Sequence, residues 1–178
     1  MNTLPLNGYE LHGVAPERLP DLRCRFLKPL DFQVTSLPPE PDIDFGRRST
    51  FLPLAVTLTP DGPLVFSVAA KPAHPVGLVS HSLETLCRSE GFQRGEIVET
   101  RVNGLPAVTC DAIQQGAGIV MRMRLVLLED GGRLFHITAM APEALWLVAE
   151  PRFLPMLTSF EPDTVRGPTV PLFPDRTW

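Results

Sequence analysis

The sequence predicts an α+β domain built on an antiparallel sheet that is covered on both faces. Three observations carry that expectation. First, Asn103-Gly104 and Asp130-Gly131-Gly132 each lie between apolar, strand-forming runs, so two hairpin-like strand pairs occupy Phe92–Ile113 and Gly116–Ala141. Second, Val79, Leu83, Leu86 and Cys87 recur at helical spacing within Val76–Glu90. Third, the second hairpin runs into an apolar helical segment that ends in Met156-Leu157-Thr158-Ser159-Phe160.

Taken in chain order, residues 1–25 mix turn formers with scattered apolar residues and read as a partly ordered N-terminal arm. Short strands are expected at Cys24–Leu27 and Phe32–Ser36. Leu37-Pro38-Pro39-Glu40-Pro41-Asp42 is a loop, because its prolines remove donors and fix φ. Phe51–Leu58 and Leu64–Ala70 are rich in Val, Phe, Leu and Thr and flank the turn Thr59-Pro60-Asp61-Gly62-Pro63, a hairpin signature. Pro53 and Pro63 place parts of it at an edge or a strand end. Gly91 is positioned to stop the Val76–Glu90 helix, with His81, Glu84, Thr85 and Arg88 on or near its polar side.

Asn103-Gly104 favours the positive φ angles of a type I′ turn between Glu96–Val102 and Leu105–Ile113. In Ile119–Leu128, Ile119, Met121, Met123, Leu125 and Leu127 share one face, and Val120, Arg122, Arg124, Val126 and Leu128 the other. Arg133–Ala141 is apolar on both faces, which asks for cover on both sides of the sheet. Pro142 suits a first helical turn, Ala144–Val148 continues it, and Pro151 and Pro155 are expected to break it, with a second short helix at Arg152–Phe160. The Pro- and Gly-punctuated tail 161–178 carries Phe173 and Trp178 and reads as a strap or a free end.

The chain has 178 residues, 44% of them apolar and 20% charged, enough for one domain with a substantial core. A net charge of -4 supplies no basic field for nucleic acid or an anionic membrane. No uncharged apolar run approaches the ~18 residues of a membrane helix, and Met1-Asn2-Thr3-Leu4-Pro5 is not a secretory n-region. Three widely spaced cysteines, Cys24, Cys87 and Cys110, fit a reduced cytoplasmic interior better than a disulfide framework.

Most candidates for chemistry fail on geometry. His12, His74, His81 and His136 have no paired metal spacing and there is no Cys-x-x-Cys, so neither a metal nor a cofactor is expected. Ser80-His81-Ser82 are adjacent on a helix and do not face one another. Cys87 falls on an apolar stripe, where a structural thiol is expected rather than a nucleophile. His136 shares a face with Leu125 and Leu127 and reads as a hydrogen-bonded core histidine. Arg122 and Arg124 are the unusual pair, two cations on an otherwise apolar strand. They suit either ion pairs with carboxylates such as Asp111 or Glu99, or a patch that contacts an anion or a partner. An enzyme built on Arg122, Arg124 and His136 is disfavoured, because the hairpin puts the arginines and the histidine on opposite faces.

The order of elements resembles the PsbP-like superfamily. The carrying residues are Leu54–Leu58 and Val65–Ala70 with the helix after them, then Val102-Asn103-Gly104-Leu105-Pro106-Ala107, which is similar to the family's xxGxPA hairpin. The long strand ending Glu129-Asp130-Gly131-Gly132, the strand Leu134–Ala139, and Ala141-Pro142 through Ser159-Phe160 complete the likeness, over roughly Phe26 to Phe160. That superfamily includes a photosystem extrinsic subunit, a yeast Ran-binding import factor, DcrB-type proteins, mycobacterial lipoproteins and type VI effector chaperones. The resemblance implies an antiparallel β-sheet of about six strands sandwiched between helices, as a single domain over 26–160. It implies binding of another protein, and it offers no shared catalytic residues. The expectation is a non-enzymatic protein-binding or chaperone-like module in the cytoplasm, with homodimerisation open and Arg122 and Arg124 as the candidate binding residues. The alternative is a small-molecule or lipid-binding protein with a methionine-lined pocket between sheet and helices.

Overall fold

The computed structural model describes residues 7–16, 19–35, 37, 51–71, 79–116 and 118–163. Most of the expected Leu37–Asp42 loop, the start of the expected helix at residues 76–78, and the tail from 164 onward lie outside them.

The architecture is α+β with three layers. The central layer is an eight-stranded antiparallel sheet of β3 (Gln33–Val34), β4 (Leu52–Leu58), β5 (Val65–Lys71), β6 (Gln93–Arg94), β7 (Val98–Val102), β8 (Leu105–Gly116), β9 (Ile119–Asp130) and β10 (Arg133–Pro142). Its order is β3-β4-β5-β10-β9-β8-β6, with β7 also pairing β8. The sequence suggests about six strands, and the six longer ones coincide with that reading. Of the two-residue edge pairings, β3 falls within the strand expected at Phe32–Ser36, whereas β6 leaves no periodic signature. Helix α1 (Val79–Ser89) covers one face. The other face is covered by helix α2 (Trp146–Thr158) and a three-stranded sheet, in which β1 (Tyr9–Val14) and β11 (Glu161–Pro162) flank β2 (Cys24–Pro29). Strands therefore form within both the 1–25 arm and the 161–178 tail.

The turns follow their chemistry. Asn103 (φ 47°) and Gly104 (φ 81°) both adopt positive φ between the closing pair Val102 and Leu105, as a type I′ turn requires. Helix α1 ends in a Schellman motif: Gly91 adopts φ 69°, its N–H donates to the Arg88 carbonyl (3.3 Å), and the Phe92 N–H donates to the Cys87 carbonyl (3.0 Å).

Helix α2 corrects one expectation: it runs unbroken through Pro151 and Pro155. Trp146, Ala149, Phe153, Met156 and Leu157 are buried along its inner side, whereas Pro151 is exposed and Pro155 half-buried. The carbonyl freed by Pro151 belongs to Leu147, an exposed residue on the outer side of the helix, so inner-face packing outweighs the lost hydrogen bond.

The main core lies between the central sheet and the α2 layer. Phe26 packs on Phe66 with ring centroids 5.1 Å apart, Phe135 on Phe160 at 5.5 Å, and Phe153 touches both Phe32 and Trp146. The smaller core under α1 unites Val79, Leu83 and Cys87 with Val108, Cys110, Leu125 and Leu127. Polar clamps join the layers. The Asn103 side-chain amide donates to the Phe160 carbonyl (2.7 Å), the Leu27 N–H donates to Ser159 Oγ (2.8 Å), and Arg133 donates to the carbonyls of Asp21 and Asp163 and to the Asp130 carboxylate.

Candidate functional site

The β8–β9 register places Asp111 opposite Arg124 and Ile113 opposite Arg122, so one carboxylate lies between two guanidinium groups. The 3-10 turn Glu143–Leu145 and the first turns of α2 then carry Glu143, Trp146 and Glu150 over the same spot. Asp111 accepts from Arg124 Nε (2.9 Å) and Nη2 (3.3 Å) and from Arg122 Nη2 (3.2 Å). Glu150 accepts from Arg124 Nη1 (2.7 Å), and Glu143 from Arg122 Nη1 (3.4 Å). Both guanidinium groups also lie over the buried Trp146 ring, at 5.2 and 5.8 Å from its centroid. Three carboxylates surround two cations, so the cluster carries excess negative charge. Burial alone would raise the Asp111 carboxyl, but the hydrogen bonds from Arg124 and Arg122 overcome it and hold the group below its ordinary range. Arg124 is raised, chiefly by its bond to Asp111.

Arg122 and Arg124 thus come together as the sequence suggests, and Asp111 is their shared partner. Glu99 is not: it lies on β7, opposite Val108. His136 is on the other face of the sheet, opposite Leu127 and Ala69. There it makes a 3.0 Å contact with Thr138 Oγ1 and packs 5.4 Å from the Phe51 ring, and burial pushes its pKa down to about 4. The arginines and His136 therefore share no reaction space. His81 is exposed on α1, and Cys87 is buried against the sheet.

Beside the charged cluster, α2 turns a second apolar surface outward. Leu147 is 85% exposed, Val148 65% and Leu154 53%, and Pro151 lies one turn after Leu147. A helix apolar on both sides is one whose outer side is suited to cover by another surface. A different apolar cleft, about 320 Å³, opens between the end of β1 and the β3–β4 edge, lined by Val14, Leu19, Val34, Leu37, Leu52 and Leu54. It contains none of the methionines expected to line a pocket. Met123 and Met156 are packed in the two cores instead.

The fold is PsbP-like. The chain is similar to the solution structure of cyanobacterial PsbP (CyanoP) from Synechocystis sp. PCC 6803, with a TM-score of 0.60 and 11% identity over 92% of this chain and 98% of that one. It is similar to LpqN of Mycobacterium tuberculosis, described as involved in cell envelope biogenesis, with a TM-score of 0.57 and 11% identity over 85% of this chain and 90% of that one. Protein PA94 of Pseudomonas aeruginosa, described as of unknown function, aligns with a TM-score of 0.50 and 13% identity over 86% of this chain and 98% of that one. No family model matches the sequence, and no curated protein matches it. The expected cytoplasmic location gains no support from a neighbour linked to the cell envelope. Among the described residues no helix is long and apolar enough to cross a membrane.

Sequence reasoning missed Glu143, Glu150 and Trp146 as members of the cluster, because a helix expected to break at Pro151 has no defined placement over a sheet. The outward Leu147–Leu154 surface was legible in principle, as apolar residues left over after the inner stripe is assigned.

Proposed function

We propose that this chain is a non-enzymatic protein-binding module, chaperone-like in holding a partner's apolar helix against the outer side of α2. The observation that carries the reading is the exposed Leu147, Val148 and Leu154 surface next to a charged cluster, an apolar centre beside a polar rim. In this reading Arg122 and Arg124, with Glu143 and Glu150, form that rim and select the partner's orientation. Occupation of both arginines by carboxylates favours a polar or cationic partner flank over a free anion. The separation of His136 from the arginines supports a non-catalytic role.

The test is affinity purification from the native host with the wild-type chain and a Leu147→Glu/Leu154→Glu variant, followed by binding of the recovered partner's apolar segment as a synthetic peptide. A stoichiometric partner that the variant loses, with direct peptide binding, supports the reading. Recovery of no stoichiometric protein, or equal capture by both chains, overturns it.

A second reading, a binder of small apolar molecules or lipids, is favoured by the aliphatic cleft between β1 and the β3–β4 edge, which is at the lower end of ligand-pocket sizes. A bound apolar molecule seen by native mass spectrometry, and displaced by Leu54→Trp, would establish it.

A further inference from the structure

The α1 face of the central sheet buries two thiols against each other. Helix spacing puts Cys87 on the inner stripe of α1 with Val79 and Leu83. On β8, Cys110 alternates onto the same face as Val108 and Ala112, opposite Leu125 of β9. The two sulfurs are 3.9 Å apart, and the residues are 1% and 2% exposed. Cys24 belongs to the other core, on the opposite side of the sheet. The 87–110 pair is thus the arrangement among the described residues that places two thiols in contact, and it joins the helix to the sheet that it covers.

A disulfide needs its sulfurs about 2.05 Å apart, so this pair must close by roughly 2 Å from contact distance. We propose that Cys87 and Cys110 are a disulfide-forming pair, oxidised by a small-molecule disulfide of the glutathione type, which fastens α1 covalently to β8. In the first step the Cys87 thiolate attacks the disulfide, forms a mixed disulfide and expels one thiolate. In the second, the Cys110 thiolate attacks the Cys87 sulfur and expels the other. The protein loses two electrons and two protons, and one disulfide becomes two thiols.

The setting makes the reaction depend on movement of α1. Burial pushes both thiols up, Cys110 to about 12, so the docked pair holds little thiolate. Helix α1 rests on β8 and β9, and opening it exposes both sulfurs together. The reduced protein keeps a helix that can lift, and the oxidised protein has that helix fixed.

The experiment incubates the folded full chain with glutathione disulfide at mildly alkaline pH, then blocks thiols, digests and maps peptides by mass spectrometry. A Cys87–Cys110 cross-linked peptide with Cys24 left free is the expected result, together with hydrogen exchange of α1 amides slowed by roughly tenfold or more in the oxidised form. Cys110→Ser then stops at a glutathione adduct on Cys87, and Cys110→Ala gives the same outcome if the serine variant folds poorly. A wild-type chain that accumulates glutathione adducts without the cross-link overturns the proposal. So does one that keeps all three thiols under conditions that oxidise the unfolded chain, or one that cross-links through Cys24.

Discussion

The two faces of the central sheet are closed in different ways. On one, α2 and the three-stranded sheet bury Phe26, Phe66, Phe135, Phe153 and Phe160, and Asp111 knots two arginines at the rim. On the other, the single eleven-residue helix α1 packs on β8 and β9 and leaves Lys71, His136 and Thr138 half-buried in a cleft of about 710 Å³ beside it. Aromatic packing and clamps from distant segments make the first face a single cooperative unit. The second is a thin cover whose charged and polar groups are only partly shielded. Stability is therefore expected to reside on the α2 side, and local opening on the α1 side.

The sharpest way to break this contrast is to cut both cores. Phe135→Ala empties a fully buried aromatic site and should cost about 3–5 kcal/mol, lowering the whole unfolding transition in urea. Leu83→Ala should cost nearer 2–3 kcal/mol and should be felt first as faster hydrogen exchange in α1. Equal global losses with uniform exchange would show that the faces are equally cooperative.

Acid titration separates the faces by window. His136 folds as a neutral ring with its pKa lowered to about 4, against about 6.5 when unfolded. Below about pH 6.5 the unfolded chain takes up a proton that the folded chain refuses, so stability falls toward pH 4 by about 2 kcal/mol, less than the full shift implies because the half-buried ring keeps some contact with solvent. His136→Gln should flatten that limb in urea midpoints measured across the range. Asp111 shifts in the same direction but in a lower window, and there the ionised form is the one the fold favours. Its folded pKa lies below the unfolded value of about 3.9, so its contribution is complete above that value and is lost as pH falls through the folded pKa. Asp111→Asn should cost about 1 kcal/mol at neutral pH, because the site is partly solvated, and should remove the lowest part of the acid limb. The smallest expected effect is Leu147→Glu on the outer side of α2, within about 0.5 kcal/mol of wild type by thermal unfolding. A larger loss would mean that this surface is already covered by the chain itself.

The local steps of the fold were legible in the residues. Asn103-Gly104 fixed its turn because few residues accept two positive φ angles in succession, and Gly91 stopped α1 for the same reason. The alternation along β9 placed Arg122 and Arg124 on one face and Leu125 and Leu127 on the other, and the hairpin register put His136 with the leucines. What sequence could not settle was long-range. Whether Pro151 and Pro155 break a helix depends on how much apolar area its inner face buries, and that area is supplied by β2 and β10. The pairing of β1 with β2 and of β2 with β11 joins residues from the two ends of the described chain, and two-residue strands leave no pattern to read. The amino-acid order by itself determined turns, strand faces and the candidate arginines, because these depend on neighbours a few residues apart. The partners of those arginines, the contact of Cys87 with Cys110, and the apolar side of α2 left in solvent were decided only by the tertiary structure. Each depends on which distant surface arrives, and on how much of the helix that surface covers.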